Sequence, residues 1–487
     1  FALQLPRLRG AAAGAGASPG GGGGSSTYHP LLGWSARPPA AAFAPHIEAV
    51  RADLSLVWGP ELLRALYGEA LYAPLDARPA DAAVAALSAN ALPPLASRAQ
   101  AAAAMHAAAL RGVPTMRGAA LARLAYSSLL LPSLWSLLRR LSPRDGGALG
   151  RLLAAAPDPG REPLTPLLLL LVEGAAHLLP VLDEREVFSE RRPFGPDELA
   201  HLATFLNALA FRLFWDAPIS AGAVVAAADG GGARELRDAS VRLLGLLHER
   251  DGRRSFCAEG AWLAPGVAPP RLRSDFNSNV PRARALVASC PWMLPFELRV
   301  EVFRELIVRE RDALPGEAAP EHLRGHRVKI RREHLLEDGY VQLAALPADA
   351  MKGTVRVEFV SGLGLAEAGI DRTGVFKEFL EDVLKRAFDV DRGLFALTPQ
   401  QRLCPSAASE LADPNHLRLF EFVGRMLGKA VYEGIVIELP LADFFVAKLL
   451  GRYPGFDLLP SLDAQLHASL EQVKVYDGDV ENDLCLS

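Results

Sequence analysis

The stretch Met351–Lys385, MKGTVRVEFVSGLGLAEAGIDRTGVFKEFLEDVLK, decides how the rest of the chain is read. Val355, Val357 and Phe359 alternate with Arg356 and Glu358, the period-two pattern of a half-buried strand. Gly362, Gly364 and Gly369 follow, residues without a Cβ that let the backbone reverse sharply. Asp371 stands at a cap position, and a helix is expected from about Gly374, with Val375, Phe379, Leu380, Val383 and Leu384 on its apolar side. The residues specify strand, loop, aspartate cap and buried helix. They specify no chemistry.

Upstream, His326–Arg332 alternates as a short strand and Asp338–Leu346 reads as helix. Before these, PWMLPF at Pro291–Phe296 leads into a helix carrying Leu298, Val302, Phe303, Leu306 and Ile307. Downstream, Pro414–Glu433 is apolar on nearly every side and is expected to be buried centrally. Gly424 and Gly428 share one face of it. Each weakens a helix, so close approach of another element is expected to offset the loss. Leu439–Leu450 supplies a further helix with Phe444, Phe445, Leu449 and Leu450.

Residues 1–40 are rich in Gly, Ala, Ser and Pro, with five glycines at Gly20–Gly24, and read as a flexible segment that cannot bury enough apolar surface to fold. Gly16-Ala17-Ser18-Pro19-Gly20 has the letters of a hydrolase nucleophile elbow but neither the strand nor the helix that an elbow needs. From residue 41 to 271 the chain reads helix after helix: Ile47–Leu71, Ala99–Leu110, Gly118–Leu141, Pro163–Leu182 and Pro196–Trp215. In the last, Leu199, Leu202, Leu206, Leu209 and Leu213 recur at spacings of three and four. Ala217–Gly232 is loop-like, and no fixed repeat period is visible. The fold class expected is mostly α: an irregular helical solenoid over 41–271, lead-in helices and a short strand over 272–351, and a smaller α+β region over 352–487.

The chain of 487 residues carries a net charge of −4, which gives no argument for a nucleic-acid partner. Cys257, Cys290, Cys404 and Cys485 lie far apart with no C-x-x-C, as in a reducing, cytoplasmic setting and without a paired-cysteine zinc framework. Pro163–Leu182 is the most membrane-like segment, but Glu173, His177 and its prolines favour a buried helix. No membrane partner and no secretory leader is expected.

Other motifs carry little. Gly424-x-x-x-Gly428-Lys429-Ala430 is one residue short of a phosphate loop, and Ala430 replaces the hydroxyl that would hold magnesium. Gly362, Gly364 and Gly369 do not make a dinucleotide fingerprint. His322 and His326 are four apart without the glutamate of a zinc protease. Glu367, Glu378, Glu381 and Asp382 read as a solvated helix face rather than as a catalytic pair. No cofactor and no metal is expected.

A resemblance supplies what the patterns do not. RVEFVSGLGLAEAGIDRTGVFKEFLEDV resembles the opening block of the HECT domain of E3 ubiquitin ligases. The likeness continues in Gly393-Leu394-Phe395, in LFEFVGRMLGKAVYEG at Leu419–Gly434, in LPSLD at Leu459–Asp463 and in YDGD at Tyr476–Asp479. Thr373 departs from the glycine that many such domains have, at a turn position. The resemblance implies an α+β N-lobe, here only its first part, since both Phe1 and Ser487 read as cut ends. It also implies a transferase that takes ubiquitin from a conjugating enzyme onto a cysteine as a thioester and passes it to a substrate lysine, with those three proteins as partners. A thiolate suits that relay as nucleophile and leaving group.

In the family the reactive cysteine follows threonine in a mobile C-lobe. Here the four cysteines follow Phe, Ser, Leu and Leu, so no catalytic residue carries over, and all four are expected to be small buried hydrophobes. The polypeptide is therefore expected to be inert alone although its parent is an enzyme. The competing expectation is a non-catalytic helical-repeat scaffold that retains part of a HECT fold.

Overall fold

The computed structural model describes residues 26–29, 33–36, 52–53, 55–73, 84, 87–126, 128–142, 147–156, 158–216, 232–313, 326–361, 372–452 and 454–484. The glycine loop with Asp371, the Gly16–Gly20 motif, the Ala217–Gly231 interval, His322 and Cys485 lie outside them. The chain divides into two compact units, Phe1–Pro295 and Phe296–Ser487.

Among its described residues, the regular structure of the first unit is helical apart from an antiparallel hairpin, β1 (Ser26–His29) and β2 (Gly33–Ala36). Its helices are α1 (Pro60–Tyr67), α2 (Leu92–Gly112), α3 (Arg117–Tyr126), α4 (Leu130–Arg140), α5 (Gly147–Ala154), α6 (Thr165–Leu178), α7 (Pro196–Trp215), α8 (Gly232–Arg253), α9 (Pro269–Asn277) and α10 (Pro281–Ser289). The single helix expected over Gly118–Leu141 is in fact two, α3 and α4, bent by 71°. Leucine and alanine at half of the positions from Arg117 to Arg140, on both sides of the corner, hide it.

Helix α6 is the centre of this unit and packs against α2, α3, α4 and α8. Leu167 to Val172 are all buried, as a helix apolar on every side must be. Its one buried charge, Glu173, is held between Arg117 of α3 at 2.6 Å and Arg242 of α8 at 2.8 Å. The helix end is closed by the buried Arg250, whose guanidinium donates to the carbonyls of Leu179 at 3.0 Å, Asp183 at 3.3 Å and Leu182. Cation and terminal carbonyls match in sign there. No single helix among the described residues is long and apolar enough to cross a membrane.

Helix α7 spans the expected Pro196–Trp215, with all five periodic leucines buried. Pro196 starts it, and the Gly195 amide donates to Glu198 Oε2 at 2.8 Å, which satisfies one terminal donor.

The second unit opens with α11 (Phe296–Asp312), followed by β3 (His326–Arg331), α12 (Leu335–Leu343), α13 (Ala348–Lys352), β4 (Val355–Val360) and α14 (Arg372–Ala387). It closes with β5 (Phe395–Leu397), β6 (Leu403–Pro405), α15 (Ser409–Ala412), α16 (His416–Glu433), α17 (Asp443–Leu449), α18 (Ala464–Lys474) and α19 (Val480–Asp483). The section expected to start at residue 272 lies on both sides of the division, α9 and α10 in the first unit and α11 in the second.

Strands β3 and β4 pair in parallel, His326 opposite Val355 and Arg331 opposite Val360, with α12 between them in the chain. Val355 and Phe359 face inward, as their alternation predicts. They join Phe379, Leu380, Val383 and Leu384 of α14 and Phe422, Val423, Met426 and Ala430 of α16 in one core. Helix α16 is amphipathic rather than buried all round: Leu417 and Val431 are exposed. Gly424 and Gly428 are on its outer side, and a Cβ at either would meet nothing within 4 Å. Among the described residues, none makes the close approach expected at these glycines.

Candidate functional site

The last turns of α16 hold a cluster of charged contacts. Lys429, 4% exposed, donates its Nζ to the carbonyl of Gly353 at 2.8 Å and pairs with Glu433 Oε1 at 2.6 Å. Burial pushes this ammonium below its ordinary pKa, and Glu433 offsets only part of that shift. One turn earlier, the Arg425 guanidinium donates to the carbonyls of Ala344 and Leu346, which follow α12. Lys429 and Ala430 of the GKA triplet thus lie on the inner face of a packing helix, and Gly428 lies outside it. Its lysine ties α16 to the chain leaving α13, where carbonyls at a helix end attract a cation.

Two glycines in the resembling blocks have a steric cause. Gly434 ends α16 at φ +75°, and a Cβ there would overlap the Arg304 guanidinium of α11. Gly393 has φ +76°, and its Cβ would come within 2.6 Å of the Ala412 methyl. Both positions favour the one residue without a side chain. Helix α11 reaches the same corner through Arg311, which pairs with Glu433, and Glu310, which pairs with Lys352 at 2.6 Å.

The motifs at the chain's later end are capping devices. In LPSLD, Asp463 Oδ1 accepts from the amides of Gln465 at 3.0 Å and Leu466 at 2.9 Å, which starts α18. Ser461 donates to the Leu458 carbonyl at 2.6 Å and accepts from the Phe444 amide at 3.3 Å. In YDGD, Asp479 accepts from the Asn482 amide at 3.0 Å, and the Asn482 side chain holds its carboxyl below the usual range. Around these caps Val446, Leu449, Leu450, Leu466, Leu470 and Val475 face solvent.

The carboxylates of α14 do not converge on a reacting centre. Glu378 pairs with Arg332 at 2.7 Å and Glu381 with Lys377 at 3.8 Å along the helix surface. Arg332 also lies over the Phe359 ring at 4.0 Å, which covers the end of β4. Next to β3, Asp338 takes a fork of two bonds from Arg331, at 2.9 and 2.7 Å, which holds its carboxyl below the usual range. No group of three or more metal-binding side chains occurs among the described residues.

Of the three described cysteines, Cys290 and Cys404 are buried and Cys257 is half-buried. Burial pushes Cys290 up to about 12 and raises Cys404, whose Sγ faces the Ala396 carbonyl at 3.7 Å. Cys257 is pushed up to about 12 by burial and by the adjacent Asp251 carboxylate. That carboxylate organises the turn, taking the amides of Phe256 at 2.7 Å and Cys257 at 2.8 Å and the Trp262 indole at 2.8 Å. These surroundings disfavour the thiolate at all three. One contact the sequence did not suggest is Ser409 Oγ to His416 Nδ1 at 2.9 Å, a pair seven residues apart. Ser409 is 4% exposed, so the pair closes a turn rather than meeting a substrate.

Comparison with known proteins places these features. Residues 381–487 match the family described as HECT-domain (ubiquitin-transferase). The second unit thus carries a HECT-domain segment, and the chain as a whole is similar to ubiquitin-protein ligases. It is 35% identical to Ubiquitin-protein ligase E3B of Mus musculus over 495 residues, covering 93% of this chain and 45% of that protein. It is 34% identical to the Homo sapiens protein of the same name, with the same coverage, and 30% identical to E3 ubiquitin-protein ligase UPL6 of Arabidopsis thaliana over 74% of this chain and 35% of that one. The chain spans about half the length, or less, of these curated relatives.

Proposed function

We propose that the whole protein is a HECT-type ubiquitin transferase, accepting ubiquitin from a conjugating enzyme as a cysteine thioester and delivering it to lysines of protein substrates. The observation that carries this reading is the joint core of β4, α14 and α16, in which Phe359, Phe379 and Phe422 from the resembling blocks pack together. Relatives that align over 93% of this chain bear the name ubiquitin-protein ligase.

In this reading residues 296–487 supply framework and the reactive sulfur lies outside the 487 residues. The described thiols support that division, because burial opposes the thiolate at each of them. The helical first unit recruits substrates or regulators, and the protein works in a reducing, cytoplasmic setting. The test uses the full-length protein with ubiquitin-charged conjugating enzyme. A ubiquitin adduct that dithiothreitol removes is expected on a non-reducing gel, and its absence with a range of conjugating enzymes would favour the scaffold.

A further inference from the structure

Arg139-Arg140-Leu141-Ser142, at the end of α4, is the one place in the sequence where two adjacent arginines stand three and two residues before a serine or threonine, and Pro143 follows. Protein kinases choose substrates in part by such charge patterns beside the acceptor hydroxyl. Ser142 lies just past the helix, half-buried, on the wall of a shallow depression between α4, α5 and α7.

The hydroxyl itself holds two helices together. Ser142 Oγ–H donates to the Leu138 carbonyl at 2.8 Å, and the same oxygen accepts from the Leu149 amide at 2.7 Å. One group thus satisfies a terminal carbonyl of α4 and a first-turn amide of α5. The corner is also tight. A Cβ at Gly147, where φ is +22°, would stand 2.3 Å from the Leu141 carbonyl oxygen and 2.5 Å from the Ser142 Cα. A phosphorus on Oγ needs more room than the methyl that this turn refuses, so a phosphoryl group must swing out and break both bonds.

We propose that Ser142 is a phosphorylation site, and that the α4–α5 corner is held by its hydroxyl and released when a protein kinase esterifies it. In that step Oγ attacks the γ-phosphorus of ATP. The Oγ–P bond forms as the bond from that phosphorus to the bridging oxygen breaks, ADP leaves, and the hydroxyl proton passes to the kinase. The product has lost the hydrogen that the Leu138 carbonyl accepted. It also carries a charge of about −1.5 to −2 beside the carbonyl end of a helix, where anions are disfavoured. The Arg140 guanidinium is committed elsewhere, donating to the carbonyls of Val84 and Leu87. The site is independent of the ligase reading, since it uses no residue of the HECT-matched segment.

The test incubates the folded 487-residue chain with MgATP and either cAMP-dependent protein kinase, which reads upstream arginines, or a cyclin-dependent kinase, which reads a following proline. Peptide mass spectrometry is expected to place phosphate on Ser142 with at least one of them. Phosphate only at other residues, or none with either kinase, would overturn the assignment. Hydrogen–deuterium exchange then reads the release without any variant that could misfold. In the phosphorylated chain the peptide carrying the Leu149 amide is expected to exchange roughly tenfold faster. Unchanged or slower exchange there would overturn the release.

Discussion

Lys429 and Gly353 meet at 2.8 Å, an ammonium from the last turns of one helix closing the carbonyl end of another in the interior of the second unit. The contact joins α16 to the chain that enters β4, two of the elements that carry the resemblance. Replacing Lys429 by Met keeps most of the volume and leaves the Gly353 carbonyl unpaired, while Glu433 retains Arg311. The expected loss is about 1–3 kcal/mol in urea unfolding. A neutral result would mean that the lysine contributes nothing net in this corner.

The same substitution is expected to stabilise at two glycines and to destabilise at a third. At Gly424 or Gly428 an added methyl meets nothing within 4 Å, so Ala should stabilise α16 by about 1 kcal/mol each. At Gly174 it would stand 2.7 Å from Leu131 Cδ2, in the interior of the first unit, and should cost roughly 1–3 kcal/mol. Denaturant midpoints of the three variants decide both signs.

How much of this was legible in the sequence depends on the range of the interaction. Strand β4 and helix α7 follow from local periodicity and capping, and Val355, Phe359, Leu199 and Leu213 lie where those patterns put them. The outward placement of Gly424 and Gly428 was not legible, because apolar residues on both sides of α16 conceal which face is inner. The parallel pairing of His326 with Val355 and the Lys429–Gly353 contact join residues far apart in the chain, which no short pattern encodes. The resemblance conveyed the family, yet the caps at Asp463 and Asp479 emerge only from geometry.

Acid should weaken the first unit through His106. This imidazole is fully buried, with Nδ1 2.9 Å from the Tyr67 hydroxyl and Nε2 3.2 Å from the Val57 carbonyl, and desolvation lowers its pKa below 6.5. The unfolded chain therefore binds a proton that the folded chain refuses. The stability is complete above about pH 6.5 and is lost as pH falls from there through the folded value. Thermal midpoints between pH 7.5 and pH 5 should fall, and His106→Gln, less stable at neutral pH, should fall less. Parallel curves would remove His106 from the account.

Glu173 binds three helices through two guanidinium groups, but Arg117 and Arg242 are part-exposed and reach water when released. Glu173→Gln is therefore expected to cost about 1–3 kcal/mol, below the range for a fully enclosed pair. Salt should narrow the difference only slightly, since the carboxylate itself is buried. Unfolding curves at low and high salt read both effects.

The most direct test of the central account is a transfer assay on the 487-residue polypeptide itself. Incubated with conjugating enzyme carrying thioester-linked ubiquitin and run on a non-reducing gel, it should show no adduct that dithiothreitol removes. A thiol-sensitive ubiquitin adduct on Cys257, Cys290, Cys404 or Cys485 would contradict the claim that these residues are the framework of a transferase whose reactive sulfur lies elsewhere.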